Sequence, residues 1–230
     1  MNPTLDNTSS GYNGSSGNSL SWNHTIGNLG SAGLILVALE SEWFNNPSNP
    51  YTSVTFNGVA MTRVGSAASY GGSHVGFVEL WALWGNSIPV GGTYTISATG
   101  QTPNSNSRMG TCASFRNLKA QNAEATHTSA GSGTNPLTNS LTTLTNNALL
   151  VTAYGSQNTP NATSTTGDTR AVITDGGSGE QSECALFYRL AGLAGSKSVS
   201  LSVNNPEGEA MITASFVPAQ GGGASLINIL

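Results

Sequence analysis

The stretch SVTFNGVAM, residues 53–61, places β-branched, aromatic and small side chains in alternation on either side of an Asn-Gly pair. Both central residues of a type I′ turn need a positive φ, which Asn and Gly tolerate, and the twist of that turn suits two antiparallel strands. The stretch therefore predicts a β-hairpin turning at Asn57-Gly58. Outward from it, short apolar runs bounded by Gly, Asn, Pro and Ser recur at 19–25, 34–40, 53–56 with 59–64, 75–83, 93–98 and 110–115. A second series follows at 140–144, 148–154, 169–173, 184–190, 198–203 and 210–217. No stretch carries convincing helical periodicity, so the chain reads as an all-β sandwich or barrel.

The two series match in order. NSLSW at Asn18 answers to NSLTT at Asn139, GLILVAL at Gly33 to ALLVTAY at Ala148, and TRV at Thr62 to TRA at Thr169. ELWAL at Glu79 then answers to LFYRL at Leu186, TYTISA at Thr93 to SVSLSV at Ser198, and TCASF at Thr111 to ITASF at Ile212. Random β-rich sequence seldom preserves order across six blocks, which points to an internal duplication. The pseudo-repeats span 19–119 and 136–218, joined by 120–135, a Gly/Ser/Thr/Ala-rich connection without a core of its own. Two small sandwiches in tandem and two half-sandwiches completing one domain both satisfy this pattern. Pairing halves removes exposed sheet edges, so the expected fold is a jelly-roll-like two-sheet β-sandwich built from the duplication, spanning 19–218. Outside it lie a polar N-terminal arm, residues 1–18, expected to be disordered unless bound, and an apolar Gly-tethered tail, 219–230.

Of 230 residues, only 7 are Lys or Arg and 11 Asp or Glu, for a net charge of −4. Seven dispersed cations make no basic stripe, which argues against a nucleic-acid partner. The first residues, MNPTLDNTSSGYNGSSGNS, have neither the basic nor the apolar part of a secretory signal. The longest apolar run, GLILVAL, is far shorter than the roughly 20 residues a membrane helix needs, so no membrane partner is expected. Cys112 and Cys184, each inside an apolar run, read as buried small hydrophobes ahead of a disulfide.

Catalysis needs ionisable groups brought together, and few are offered. His24, His74 and His127 are scattered, without metal-ligand spacing, so neither a metal nor another cofactor is expected. Glu40 and Glu42 share a strand face but read as the exit of a buried strand to solvent, and Glu79 reads as pointing outward beside Trp81 and Trp84. Asp168, Asp175, Glu180 and Glu183 lack the dense spacing of a calcium loop and read as a solvated hairpin. The expectation is a protein without enzymatic activity. Trp22, Trp81 and Trp84 read as core or interface, whereas Trp43 and Phe44, with Tyr51 beyond NNPSNP, offer rings, amides and hydroxyls of the kind that bind glycans. The other reading of Trp43 is a plug at one end of the sandwich.

At LSWNHTIG, GLILVALES, SVTFNGVAMTRV, VELWAL and TYTISATG, over residues 19–118, the chain resembles β-sandwich domains of tailed-phage structural proteins and bacterial surface proteins. These motifs mark core and turns, so the resemblance implies a module for assembly or attachment and transfers no site residue. The expected function is a virion structural protein, a capsid decoration (cement) protein or tail appendage, assembled in the host cytoplasm as a homo-oligomer or with other subunits through its terminal arms. Leu226, Ile227, Ile229 and Leu230 of the closing GGGASLINIL are the candidate contacts, in cis or by strand addition to a neighbour. The alternatives are a carbohydrate-binding host-recognition module at the cell surface and a subunit of an extracellular filament.

Overall fold

The structure, a computed structural model, describes residues 1–14, 18–41, 51–71, 74–100, 108–131, 133–157, 161–175, 182–204 and 208–220. The first copy runs through β1 (Thr4–Asn13), β2 (Ser19–Ile26), β3 (Leu34–Ser41), β4 (Tyr51–Phe56), β5 (Val59–Ala60), β6 (Thr62–Gly71), β7 (His74–Trp84), β8 (Gly92–Gly100) and β9 (Arg108–Arg116). The second runs through β10 (Ala125–Gly131), β11 (Leu137–Thr143), β12 (Leu149–Gln157), β13 (Thr163–Ser164), β14 (Thr169–Asp175), β15 (Ser182–Leu190), β16 (Gly195–Ser202) and β17 (Glu209–Phe216). The ladders are antiparallel throughout. The hairpin forms at Asn57 and Gly58, with φ of 51° and 75°, and pairs Phe56 with Val59.

Each copy makes one five-stranded and one smaller sheet: β1-β9-β3-β7-β6 with β2-β8-β4-β5, and β10-β17-β12-β15-β14 with β11-β16-β13. The five-stranded sheets share one strand order. They also break register at equivalent bulges, between Arg63 and Gly65 in β6 and between Arg170 and Val172 in β14. The two Thr-Arg pairs matched in sequence thus occupy one structural position. Another correspondence moves by one residue: Leu34 pairs with Trp84 as Leu149 pairs with Leu190, so Glu79 is equivalent to Ala185 and not Leu186.

The chain is the all-β sandwich expected, but the single two-sheet sandwich made of two halves is a correction: of the two arrangements the duplication allowed, the structure has one sandwich per copy. Each copy forms its own two-sheet sandwich, and the five-stranded sheets then pack face to face to give four layers. Between these inner sheets lie Leu36, Val78, Leu80 and Phe115 of the first copy and Val151, Leu186, Ile212 and Phe216 of the second. Alternate side chains of the same strands point the other way, Ile35, Val37 and Trp81 joining Trp22 and Phe56 in one core, Tyr154 and Phe187 joining Leu137 and Leu201 in the other. Layer position accounts for the hydrophobic pattern. β3, in an inner sheet, is buried at all eight positions, whereas β2, in an outer sheet with one wet face, alternates exposed and buried.

The expected free N-terminal arm is a correction. Residues 4–13 form β1, the edge of the first inner sheet, and their ladder with β9 needs backbone groups only, which a polar sequence supplies. Asp6 fastens the strand: it accepts from Gly27 N and Ser114 Oγ, each at 3.0 Å, and pairs with Arg116. Burial works to raise the Asp6 pKa, but the Arg116, Gly27 and Ser114 donors hold it below the usual value. Residues 125–131 of the expected connection likewise form β10 against β17. Cys112 and Cys184 are buried and free.

Leu118 and Pro218, just past β9 and β17, are bridged, and Ala219 N donates to Asn117 O at 2.8 Å. The two copies therefore point the same way. The upper end is where β3 finishes and β4 begins; the lower end is where β2 turns into β3.

Candidate functional site

Buried polar groups gather at the upper end. In the first copy Arg108 opens β9 opposite Ser41 and lies fully buried, its Cζ 5.3 Å from the centroid of the Tyr51 ring. Tyr51 donates to the Glu40 carbonyl at 2.7 Å, and burial drives its pKa up, with Arg108 opposing. In the second copy Glu183, Ser156 and Glu209 form one row across β15, β12 and β17. The outer two backbones are two strand spacings apart, about 10 Å. Glu183 is fully buried and accepts from Asn161 N and Ala162 N, the latter at 3.2 Å. Burial raises its pKa against those two N–H groups. Glu40 faces the opposite side, into the seam between the inner sheets, where Thr111 and Cys184 meet at 3.7 Å. Glu40 and Glu183 are thus corrections, since neither meets solvent. Each strand carries its polar terminus inward because both of its faces are covered, and the Glu183 carboxyl holds the chain leading into β13 through the Asn161 and Ala162 N–H groups.

Glu79 is a third correction. Residues two apart on a strand share a face, so Glu79 lies inside with Trp81. It is fully buried, receives Trp81 Nε1 at 2.8 Å, and pairs with Arg63 Nη1 at 3.3 Å. Desolvation pushes its pKa up to about 7 against these two donors. Arg63 in turn lies 5.8 Å from the centroid of the Trp81 ring.

His24, one of the three scattered histidines, is buried in the first core edge-on to Phe56. Its Nδ1 is 2.9 Å from Ser9 Oγ, which also accepts from Trp22 Nε1 at 3.0 Å. Burial lowers its pKa to about 4, only partly offset by Asp6, so the ring is neutral. The second copy exchanges the partners: His127 on β10 meets Asn139 on β11 at 2.9 Å, where the first copy has Ser9 on β1 and His24 on β2. A histidine that changes strand while the contact survives serves the joint between edge strand and outer sheet. Among the described residues no group of three or more His, Cys, Asp or Glu could hold a metal.

The lower end is different in kind. Large apolar side chains stand out there: Val90 at 74% exposure, Leu144 at 72%, Leu193 at 76%, with Val59 and Leu190 at 38% each. Leu144, Leu190 and Leu193 sit on neighbouring turns joined by the Ala191 N to Ala148 O bond of 2.9 Å. Both ends of the described chain meet at this end, where the Met1 amino group bonds Ala219 O at 3.3 Å. A cavity of about 420 Å³ opens between the copies there, lined by Ala32, Leu118, Ala120, Val217, Ala219 and neighbours.

Of the residues singled out in sequence, Tyr51 is buried and cannot present its ring to a glycan. Trp43, Phe44, Glu42 and Glu180 lie outside the described residues, as do Leu226, Ile227, Ile229 and Leu230. Trp22 and Trp81 are core residues and Trp84 is half-buried. The aliphatic side chains of the lower end went unnoticed because each stands alone in its turn; only the fold collects them. No protein-family model matches the chain, and a comparison with curated proteins finds no relative.

Proposed function

We propose that this protein is a structural subunit of a virion, a capsid decoration protein or tail appendage, that joins its neighbours through its lower end. The observation that supports the reading most is the exposure, above 70% each, of Val90 on the first copy and of Leu144 and Leu193 on neighbouring turns of the second, all at one end of a double sandwich. Solvated turns are ordinarily polar, and apolar side chains gathered on one face mark a contact surface. The low charge of the chain, 18 Asp, Glu, Lys and Arg in 230 residues, suits a surface meant to be covered by like subunits without repulsion. β1 is spent within its own sheet, so the N-terminal segment drops out of the assembly proposal. Leu226, Ile227, Ile229 and Leu230 remain proposed contacts, since the chain leaves β17 at this same end.

Sedimentation tests the reading. The wild-type chain is expected to self-associate at high concentration, and Leu144→Ser with Leu193→Ser to remain monomeric while melting at the same temperature, because exposed substitutions change stability by no more than about 0.5 kcal/mol. A wild-type protein that stays monomeric, or a variant that associates equally well, refutes it.

A further inference from the structure

Where edge strand β6 of the first copy approaches edge strand β10 of the second, a cleft of about 210 Å³ is lined by Thr62, Arg63, Val64, Trp84, Asn122, Ala123 and Thr126. We propose that this cleft binds a single neutral sugar ring. The half-buried Trp84 provides an aromatic surface with one apolar face, and the apolar C–H face of a pyranose matches such a surface. Around the indole stand the amide of Asn122 and the hydroxyls of Thr62 and Thr126, which can donate to and accept from sugar hydroxyls. None of these three side chains, nor the Trp84 indole N–H, hydrogen-bonds to another described residue, so their capacity is open to a ligand.

The charge class follows from Arg63, the cleft's single ionised side chain. Its guanidinium meets Glu79 through Nη1 at 3.3 Å and lies over the Trp81 ring, so its charge is partly answered within the protein, which favours a neutral ligand over an acidic one. The size class follows from the volume, which is below the roughly 300–1,000 Å³ of pockets that enclose drug-sized ligands and fits one ring. The equivalent of Trp84 in the second copy is Leu190, which has no aromatic face, so among the described residues the cleft is not duplicated with the fold. This platform is distinct from the Trp43 segment, which lies outside the described residues, and its test concerns the isolated protein.

The indole N–H resonances of the four tryptophans give the readout, with Trp84 assigned by its disappearance in Trp84→Phe. Methyl glycosides of glucose, galactose, mannose and N-acetylglucosamine are titrated separately. At least one is expected to shift the Trp84 resonance with a Kd on the order of millimolar, as few atoms are in contact. Asn122→Ala, at an exposed position, should weaken that binding at least about fivefold without changing the melting temperature. The proposal is overturned if no glycoside moves the Trp84 resonance up to about 50 mM, if Asn122→Ala binds as wild type, or if glucuronate binds more tightly than glucose. Shifts confined to another tryptophan also overturn it.

Discussion

Gly155→Ala tests the four-layered packing where it is tightest. A Cβ built on Gly155 of β12 would stand 2.0 Å from the carbonyl oxygen of Phe77 and 3.1 Å from the Val78 Cβ, both on β7 of the other copy. Contacts below 3.0 Å do not occur at real Cβ atoms, and a backbone oxygen in a ladder cannot swing aside as a side-chain tip can. The inner sheets must therefore separate locally by about 1 Å, enough to forfeit a quarter to a half of the dispersion energy of the atoms that part. Overpacking of this kind costs about 1–3 kcal/mol. Gly155 has no positive φ, so the Ala would otherwise gain about 0.4–1 kcal/mol from a more restricted unfolded chain. The sign is therefore diagnostic. Urea unfolding should show a net loss of about 1–2 kcal/mol, and thermal melting a drop of about 2–8 °C for a chain of this size. Gly65→Ala is the control: its Cβ meets Ile212 Cγ2 at 3.3 Å, a side-chain methyl that can yield, and it should change stability by less than about 1 kcal/mol. A Gly155→Ala protein as stable as wild type, or more so, would refute face-to-face contact of the inner sheets at this position.

Two pH effects of opposite sign are expected from buried groups. Glu79 titrates near 7 in the folded protein and near 4.5 unfolded, so its presence lowers stability as pH rises from about 4.5 to 7; Glu79→Gln should flatten that slope in pH-dependent melting and be more stable at pH 8 by up to about 3 kcal/mol. His24 titrates near 4 folded and 6.5 unfolded, so stability is complete above about 6.5 and is lost as pH falls toward 4; His24→Gln should remove that acid loss, and an unchanged profile would mean that the ring is solvated. Both cysteines are buried, and burial raises both thiol pKa values, so an aromatic disulfide reagent should label neither in native protein and both in guanidinium; rapid native labelling would contradict the packing of Cys112 and Cys184.

The sequence by itself determined the strands that are buried on at least one face, since a strand that must cover a core writes its hydrophobic pattern into local side chains. LILVALE, SLSWNHTI and the Asn57-Gly58 turn could each be read without knowing what lay opposite. It also determined the duplication, because the same cores demand the same side chains in the same order. β1 and β10 were illegible for the converse reason: they are edge strands, held by backbone hydrogen bonds that any sequence can make, and TLDNTSSGYN carries no apolar alternation. Their omission made each copy look like half a sandwich. The tertiary structure alone decided that Leu36 meets the other copy while Val37 stays in its own, because a strand buried on both faces gives no sign of which face meets which neighbour. It alone turned Glu40, Glu79 and Glu183 inward, and it alone gathered Trp84 with Asn122, and Leu144 with Leu193. Residues distant along a chain become neighbours through sheet order and layer contact, and neither is encoded in any local stretch.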